Sequence, residues 1–227
     1  MAETKYLHPV ADAQITRETP NDNYGSDPSF TVGLSSVFGN YYLHRSLIKF
    51  PILDNIPEKA TIVSAKLKMK PSAFPYETRV TVKVHLVSVD WQENTVTWAS
   101  HNDKYSSFYV SGSSVGEDWT DYEVKDLVQK IVNKEFPEHG FMLINANEDD
   151  SLFAISFHSK ESAATNYRPY LVVTYEKPEE APTPPPTQPT TKTYEDIMKV
   201  FQSVITLMFS LMFLMMLMSM VTRFFME

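Results

Sequence analysis

The strongest constraint on this chain lies near its end. From Val200 to Thr222 no residue carries a charge, and the inner stretch VITLMFSLMFLMMLMSMV, Val204 to Val221, holds neither glycine nor proline. As an α-helix these 23 residues rise about 34 Å, against a hydrocarbon core of about 30 Å. Apolar residues surround the whole helix, which fits a bilayer better than a core groove or a membrane surface. The spacing therefore predicts a single carboxy-terminal transmembrane helix with span ends at Val200 and Thr222, inside a region of residues 194–227. Six methionines among residues 200–222 give it a flexible, polarizable surface. Lys192 and Lys199 precede the span and Arg223 follows it, too even a split for the positive-inside rule to orient it.

Residues 176–193, EKPEEAPTPPPTQPTTKT, carry six prolines and no large apolar residue. Such a segment cannot form a core and favours extended polyproline conformation, a stiff linker reaching at most roughly 55 Å at about 3.1 Å per residue. The opening MAETKYLHPVADAQITRETP lacks the basic start and the apolar run of roughly 7 to 15 residues of a secretory signal. With Met1 taken as native, the expected arrangement is tail-anchored and single-pass, with the domain on the cytosolic side.

Residues 1–175 alternate short β-like runs with turn residues. In RVTVKVHLV, Val80, Val82, Val84 and Leu86 share one face while Thr81, Lys83 and His85 point to the other. Similar runs at AQITRE, SFTVGL, YYLHRSLIKF, TIVSAKLKMK, GFMLIN, LFAISFHS and PYLVVTYE, separated by turn signals, predict an all-β sandwich or barrel. One short surface helix is expected in DYEVKDLVQKIVNKEF, where Val124, Leu127, Val128, Ile131 and Val132 recur at three and four residues.

A formal charge of -8 and no basic run of five residues argue against nucleic acid as a partner. No cysteine is present, which excludes disulfides, thiolate metal sites and thiol catalysis. The order of several fragments resembles the DNRLRE-domain family: ADA at Ala11, NYG at Asn23, VG at Val32, RSLIKF at Arg45, IVSAKLKM at Ile62, WQENTVTW at Trp91, YEVKDLVQ at Tyr122, GFML at Gly140, FHSKES at Phe157 and RPYLVVTY at Arg168. The resemblance covers nearly all of residues 8–175. It implies a jelly-roll β-sandwich of the carbohydrate-binding type, appended in its relatives to surface proteins and polysaccharide-active enzymes of bacteria and archaea. It also implies structural roles for the motifs, with Leu47 and Phe50 facing the core and Gly25 and Gly33 serving turns.

No nucleophile elbow, phosphate loop, dinucleotide fingerprint or zinc-protease motif occurs, so no enzyme is expected. The six histidines are scattered without ligand spacing. Two oxygen-rich loops are candidates for calcium, one with Asn21, Asp22, Asn23 and Asp27, the other with Asn147, Glu148, Asp149 and Asp150; the same residue types are ordinary in exposed turns. No other cofactor is expected. Tyr105, Phe108 and Tyr109, with Tyr41 and Tyr42, are candidates for a glycan-stacking platform, since an exposed ring lies flat against the apolar face of a pyranose.

Two readings follow. The first is a non-enzymatic, membrane-anchored binding module that recognises a glycan or surface polymer. The second is a structural protein, oligomeric in its assembly, of a cell envelope or of a virion with an internal membrane, contacting neighbouring envelope or capsid subunits. The lipid bilayer is a partner in both, and the location is accordingly cell surface or virion.

Overall fold

The computed structural model describes residues 1–73, 79–114, 118–148, 153–178 and 191–224. They fall into two units, Met1–Glu179 and Glu180–Glu227.

The first unit is the expected sandwich of two curled antiparallel sheets. Its strands are β1 (Ala2–Leu7), β2 (Ala11–Thr16), β3 (Ser29–Val37), β4 (Asn40–Lys49), β5 (Thr61–Met69), β6 (Pro71–Ala73), β7 (Val80–Val87), β8 (Tyr105–Ser114), β9 (Thr120–Glu123), β10 (Phe141–Asn145), β11 (Ala154–His158) and β12 (Tyr170–Glu176). One sheet runs β1-β12-β5-β9; the other runs β6-β11-β3-β4-β10-β7-β8, with β2 paired to β4. β1 pairs with β12 from Ala2↔Glu176 to Leu7↔Leu171, so the two ends of the unit close the same edge.

The alternation in β7 does what its period requires: Val80, Val82, Val84 and Leu86 enter the core between the sheets, beside Phe30, Phe141 and Phe157. A second, smaller core covers the outer face of the eight-stranded sheet, where Ala13, Ile15, Leu47, Met142 and Ile144 meet Trp91 and Val96. This explains why β10 reads FMLIN without alternating: Phe141 and Leu143 serve one core, Met142 and Ile144 the other. Leu47 and Phe50 are both buried, as the resemblance implied.

Helix α1 is a single turn, Trp98–His101, and α2 spans Lys125–Val132. The periodicity of α2 is as expected, with Leu127, Val128, Ile131 and Val132 buried, but the helix begins later than its pattern suggested. Thr120–Glu123 form β9 instead, because Lys66–Met69 of β5 supply pairing partners that local periodicity cannot reveal. Gly33 lies within β3 rather than in a turn: a Cβ there would stand 2.3 Å from the Phe153 carbonyl oxygen.

In the second unit, α3 runs Thr191–Phe224. Its Tyr194–Thr222 segment, 29 residues, is long and apolar enough to cross a membrane, rising about 43 Å as a helix. Its hydroxyls suit such a solvent, since Ser203, Thr206, Ser210 and Thr222 each donate to the carbonyl four residues earlier at 2.9–3.0 Å. The central part of the proline-rich segment, residues 179–190, lies outside the described residues.

Candidate functional site

Two places gather chemistry on the sandwich. The first is the outer face of β7 and β8. β8 is the edge strand, and its register sets His85 opposite Tyr109 and Val87 opposite Tyr105, with a bulge between them. Tyr105 and Tyr109 are four residues apart and so share a face. The His85 ring lies 4.8 Å from Tyr105 and 5.1 Å from Tyr109, centroid to centroid. His85 Nδ1 donates to the Ser106 carbonyl at 2.9 Å, which makes Nε2 the acceptor of the neutral ring. Burial holds His85 below the usual histidine range, outweighing that hydrogen bond.

Charge surrounds these rings. Lys83 Nζ stands 5.2 Å from the Tyr109 centroid, and the Arg45 guanidinium lies 5.5 Å from Tyr105 and 5.0 Å from Trp98. Arg45 is engaged with Glu148 through two hydrogen bonds of 2.8 and 2.7 Å and also donates to the Asn102 carbonyl. Lys83 therefore offers the more available cation, next to a Tyr109 that is 50% exposed.

The structure divides the aromatic candidates. Tyr105 and Tyr109 come together, whereas Phe108 falls on the opposite side of β8, its ring under Lys130 of α2 at 4.4 Å. Tyr41 and Tyr42 belong to the β3–β4 hairpin, where Tyr42 stacks on His44 at 6.4 Å; among the described residues no ring contact joins them to Tyr105 or Tyr109. Lys83 and His85 were legible as one face of β7, but only strand pairing shows that Tyr109 shares it.

Two of the calcium candidates, Asn23 and Glu148, already have protein partners. Asn21, Asp22, Asn23 and Asp27 are exposed, and the Asn23 amide donates to the Glu93 and Val96 carbonyls at 2.7 and 2.8 Å, tying down the segment that carries Trp91. Asn147 accompanies a Glu148 already paired with Arg45, while Asp149 and Asp150 lie outside the described residues.

Three other carboxylates, of Asp12, Glu93 and Glu161, come within 4.8 Å of one another, the arrangement a hard cation takes. Lys160 already stands among them: its Nζ meets Glu93 at 2.9 Å and pairs with Glu161, and its backbone N–H donates to Asp12 at 2.8 Å. The Asp12 N–H in turn donates to Glu93 at 2.8 Å, and Glu161 Oε2 is buried without a hydrogen-bond partner among the described residues. The residues come from ADA, WQENTVTW and FHSKES, fragments whose common purpose is invisible in the sequence because Asp12 and Lys160 are 148 positions apart.

Burial pushes the Asp12 carboxyl up to about 8, with Glu161 and Glu93 adding to the rise and the Lys160 N–H opposing it. The unfolded chain releases this proton near its ordinary value of 3.8, while the fold retains it. The contribution is thus fully present below about pH 4 and is lost as pH rises to about 8. In chelator, the gap in melting midpoint between wild type and Asp12→Asn should move in favour of the variant between pH 5 and pH 8.5. A gap constant with pH would show that Asp12 ionises in the fold as it does in water.

Residues 3–175 match the model of carbohydrate-binding module family 96. No curated protein matches the chain. Among solved structures, a chain of the cryo-EM structure of Mud crab tombus-like virus is 11% identical, covering 80% of this chain and 84% of that one at a TM-score of 0.28. A superposition that loose carries no argument.

Proposed function

The chain belongs to carbohydrate-binding module family 96 through residues 3–175, and from that premise we propose that its sandwich is a non-enzymatic module binding a glycan at Tyr109, Tyr105 and Lys83. In this reading α3 anchors the module in a bilayer and the proline-rich segment joins the two. The observation that carries it is the half-exposed Tyr109 ring beside Lys83 on an open sheet face. The ring offers an apolar surface to a pyranose, and the ammonium a donor to its hydroxyl or carboxylate oxygens.

Titration against neutral and acidic polysaccharides tests this. Tyr109→Ala should weaken binding about tenfold, the loss of on the order of 1.4 kcal/mol at a central contact. Phe108→Ala, an equally exposed ring three residues from Tyr105 but on the other side of the strand, should leave binding unchanged. Equal losses from both, or no binding to any polysaccharide, would remove this face from consideration. Calcium is a condition of the same titration. A calcium-dependent rise in melting midpoint that Glu161→Gln abolishes would assign a cation to the Asp12, Glu93 and Glu161 cluster.

Protease protection in sealed native membranes separates this function from an assembly role in an envelope or capsid. Exposure of the sandwich on the external side is the expected result for glycan binding, and cytosolic exposure favours assembly.

A further inference from the structure

The β3–β4 hairpin ends in a feature that neither packing nor turn chemistry explains. Val37 pairs with Asn40, so the loop is the two residues Phe38 and Gly39, with φ of 49° and 82°. Two positive φ values in a two-residue hairpin favour Asn-Gly, and a bulky residue at the first position is strained there. Phe38 holds that position while fully exposed, at 101%. It therefore recovers nothing by burial within the chain. A Cβ built on Gly39 meets no atom of the described residues within 4 Å, so the turn has open space beside it.

The surroundings of Phe38 are ordered by polarity. From Leu34 to Leu43, ten consecutive residues carry no charge. Val37 and Tyr41 are about as exposed as Tyr109, at 50% and 53%, and charge meets the hairpin at Leu43, whose N–H donates to Glu18 at 2.8 Å. An apolar tip, tyrosine at its shoulder and charge only at its base is the depth order of a group entering a bilayer interface. The same chain carries a helix long and apolar enough to cross a membrane, which would keep lipid at high effective concentration around the domain.

We propose that the β3–β4 hairpin is a second, shallow membrane contact, inserting Phe38 and Val37 into the lipid interface. The proposal rests on the membrane-anchored reading of α3. Its consequence is orientation: a domain held at one point tumbles, whereas a domain held at two presents a fixed face.

The chain has no cysteine, so Asn40→Cys gives a single labelling site beside Phe38, and Val63→Cys, on the other sheet and 45% exposed, gives a control. Full-length protein bearing an environment-sensitive fluorophore at either position is reconstituted into phosphatidylcholine vesicles containing a lipid spin-labelled near its headgroup. The label at 40 should lose about half its emission or more, since interfacial insertion reaches about 5–10 Å. The label at 63 should be unaffected, and Phe38→Asp should restore emission at 40. Emission at 40 that is unchanged while the protein floats with the vesicles overturns the hairpin contact and leaves the α3 anchor standing. Equal quenching at 40 and 63 overturns it too, because the domain then meets lipid without preference. A response at 40 to polysaccharide and not to lipid would overturn it by assigning the hairpin to ligand binding. Failure of the protein to float would overturn the anchor and, with it, this contact.

Discussion

Gly25→Ala is expected to cost the sandwich on the order of 4 kcal/mol or more, among the largest single-residue effects such a domain shows. A Cβ at position 25 would stand 2.1 Å from the Glu93 carbonyl oxygen, 2.7 Å from Glu93 Cγ and 2.8 Å from the Glu93 carbonyl carbon. Two of those atoms are backbone, so no rotamer change relieves the clash, and the segment around Glu93 must withdraw. That segment is held by the Asn23 amide at the Glu93 and Val96 carbonyls, and by Glu93 itself at the Asp12 N–H. It carries Trp91 and Val96 into the second core, so its displacement also opens apolar surface. For a domain of this size the loss corresponds to a fall in melting midpoint of roughly 8–16 °C. A fall of a degree or two would mean that the segment is loosely held and that Gly25 serves only the turn it sits beside.

Arg45→Met should cost about 3 kcal/mol, for a different reason. Arg45 and Glu148 side chains retain only 14% and 13% of their exposure. Removing the guanidinium leaves a carboxylate nearly withdrawn from water with no cation beside it, and also removes contacts to Trp98, Tyr105 and the Asn102 carbonyl. Glu148→Gln in the Arg45→Met background should restore much of the loss, because the stranded charge is then gone. A double-mutant cycle in urea reads this directly. Additive losses would show that the two residues act through separate neighbours and that the pair contributes little. Because Arg45 lies over Tyr105, its removal should also loosen the ring that supports the proposed glycan face, so affinity and stability are to be measured together.

Much of the fold was legible. Strand β7 could be read from alternating valines, α2 from its three-and-four spacing, and α3 from an unbroken run without charge, because each pattern is set by the local geometry of the element itself. β1 and β9 were not legible. AETKYL and TDYE have no apolar alternation strong enough to mark a strand, and they are extended because β12 and β5 offer edges to pair with. The aromatic candidates were half legible for the same reason. YSSFYV contains three rings, but Phe108 and Tyr109 leave the strand on opposite sides, and the sequence says nothing of which side is open.

The cation candidates show the limit most clearly. Asp and Asn crowded into one loop drew attention to Asn21 through Asp27, where the Asn23 amide ties the loop to the Glu93 and Val96 carbonyls. Asp12, Glu93 and Glu161, which converge, are single residues in three fragments, one on β2 and two in turns distant from it in the chain. By itself the sequence determined that this chain makes a β domain followed by an apolar helix long enough to span a bilayer, since hydrophobic period and run length are local properties. Only the tertiary structure decided which side chains share a face and which carboxylates surround Lys160, since those depend on how distant segments come together.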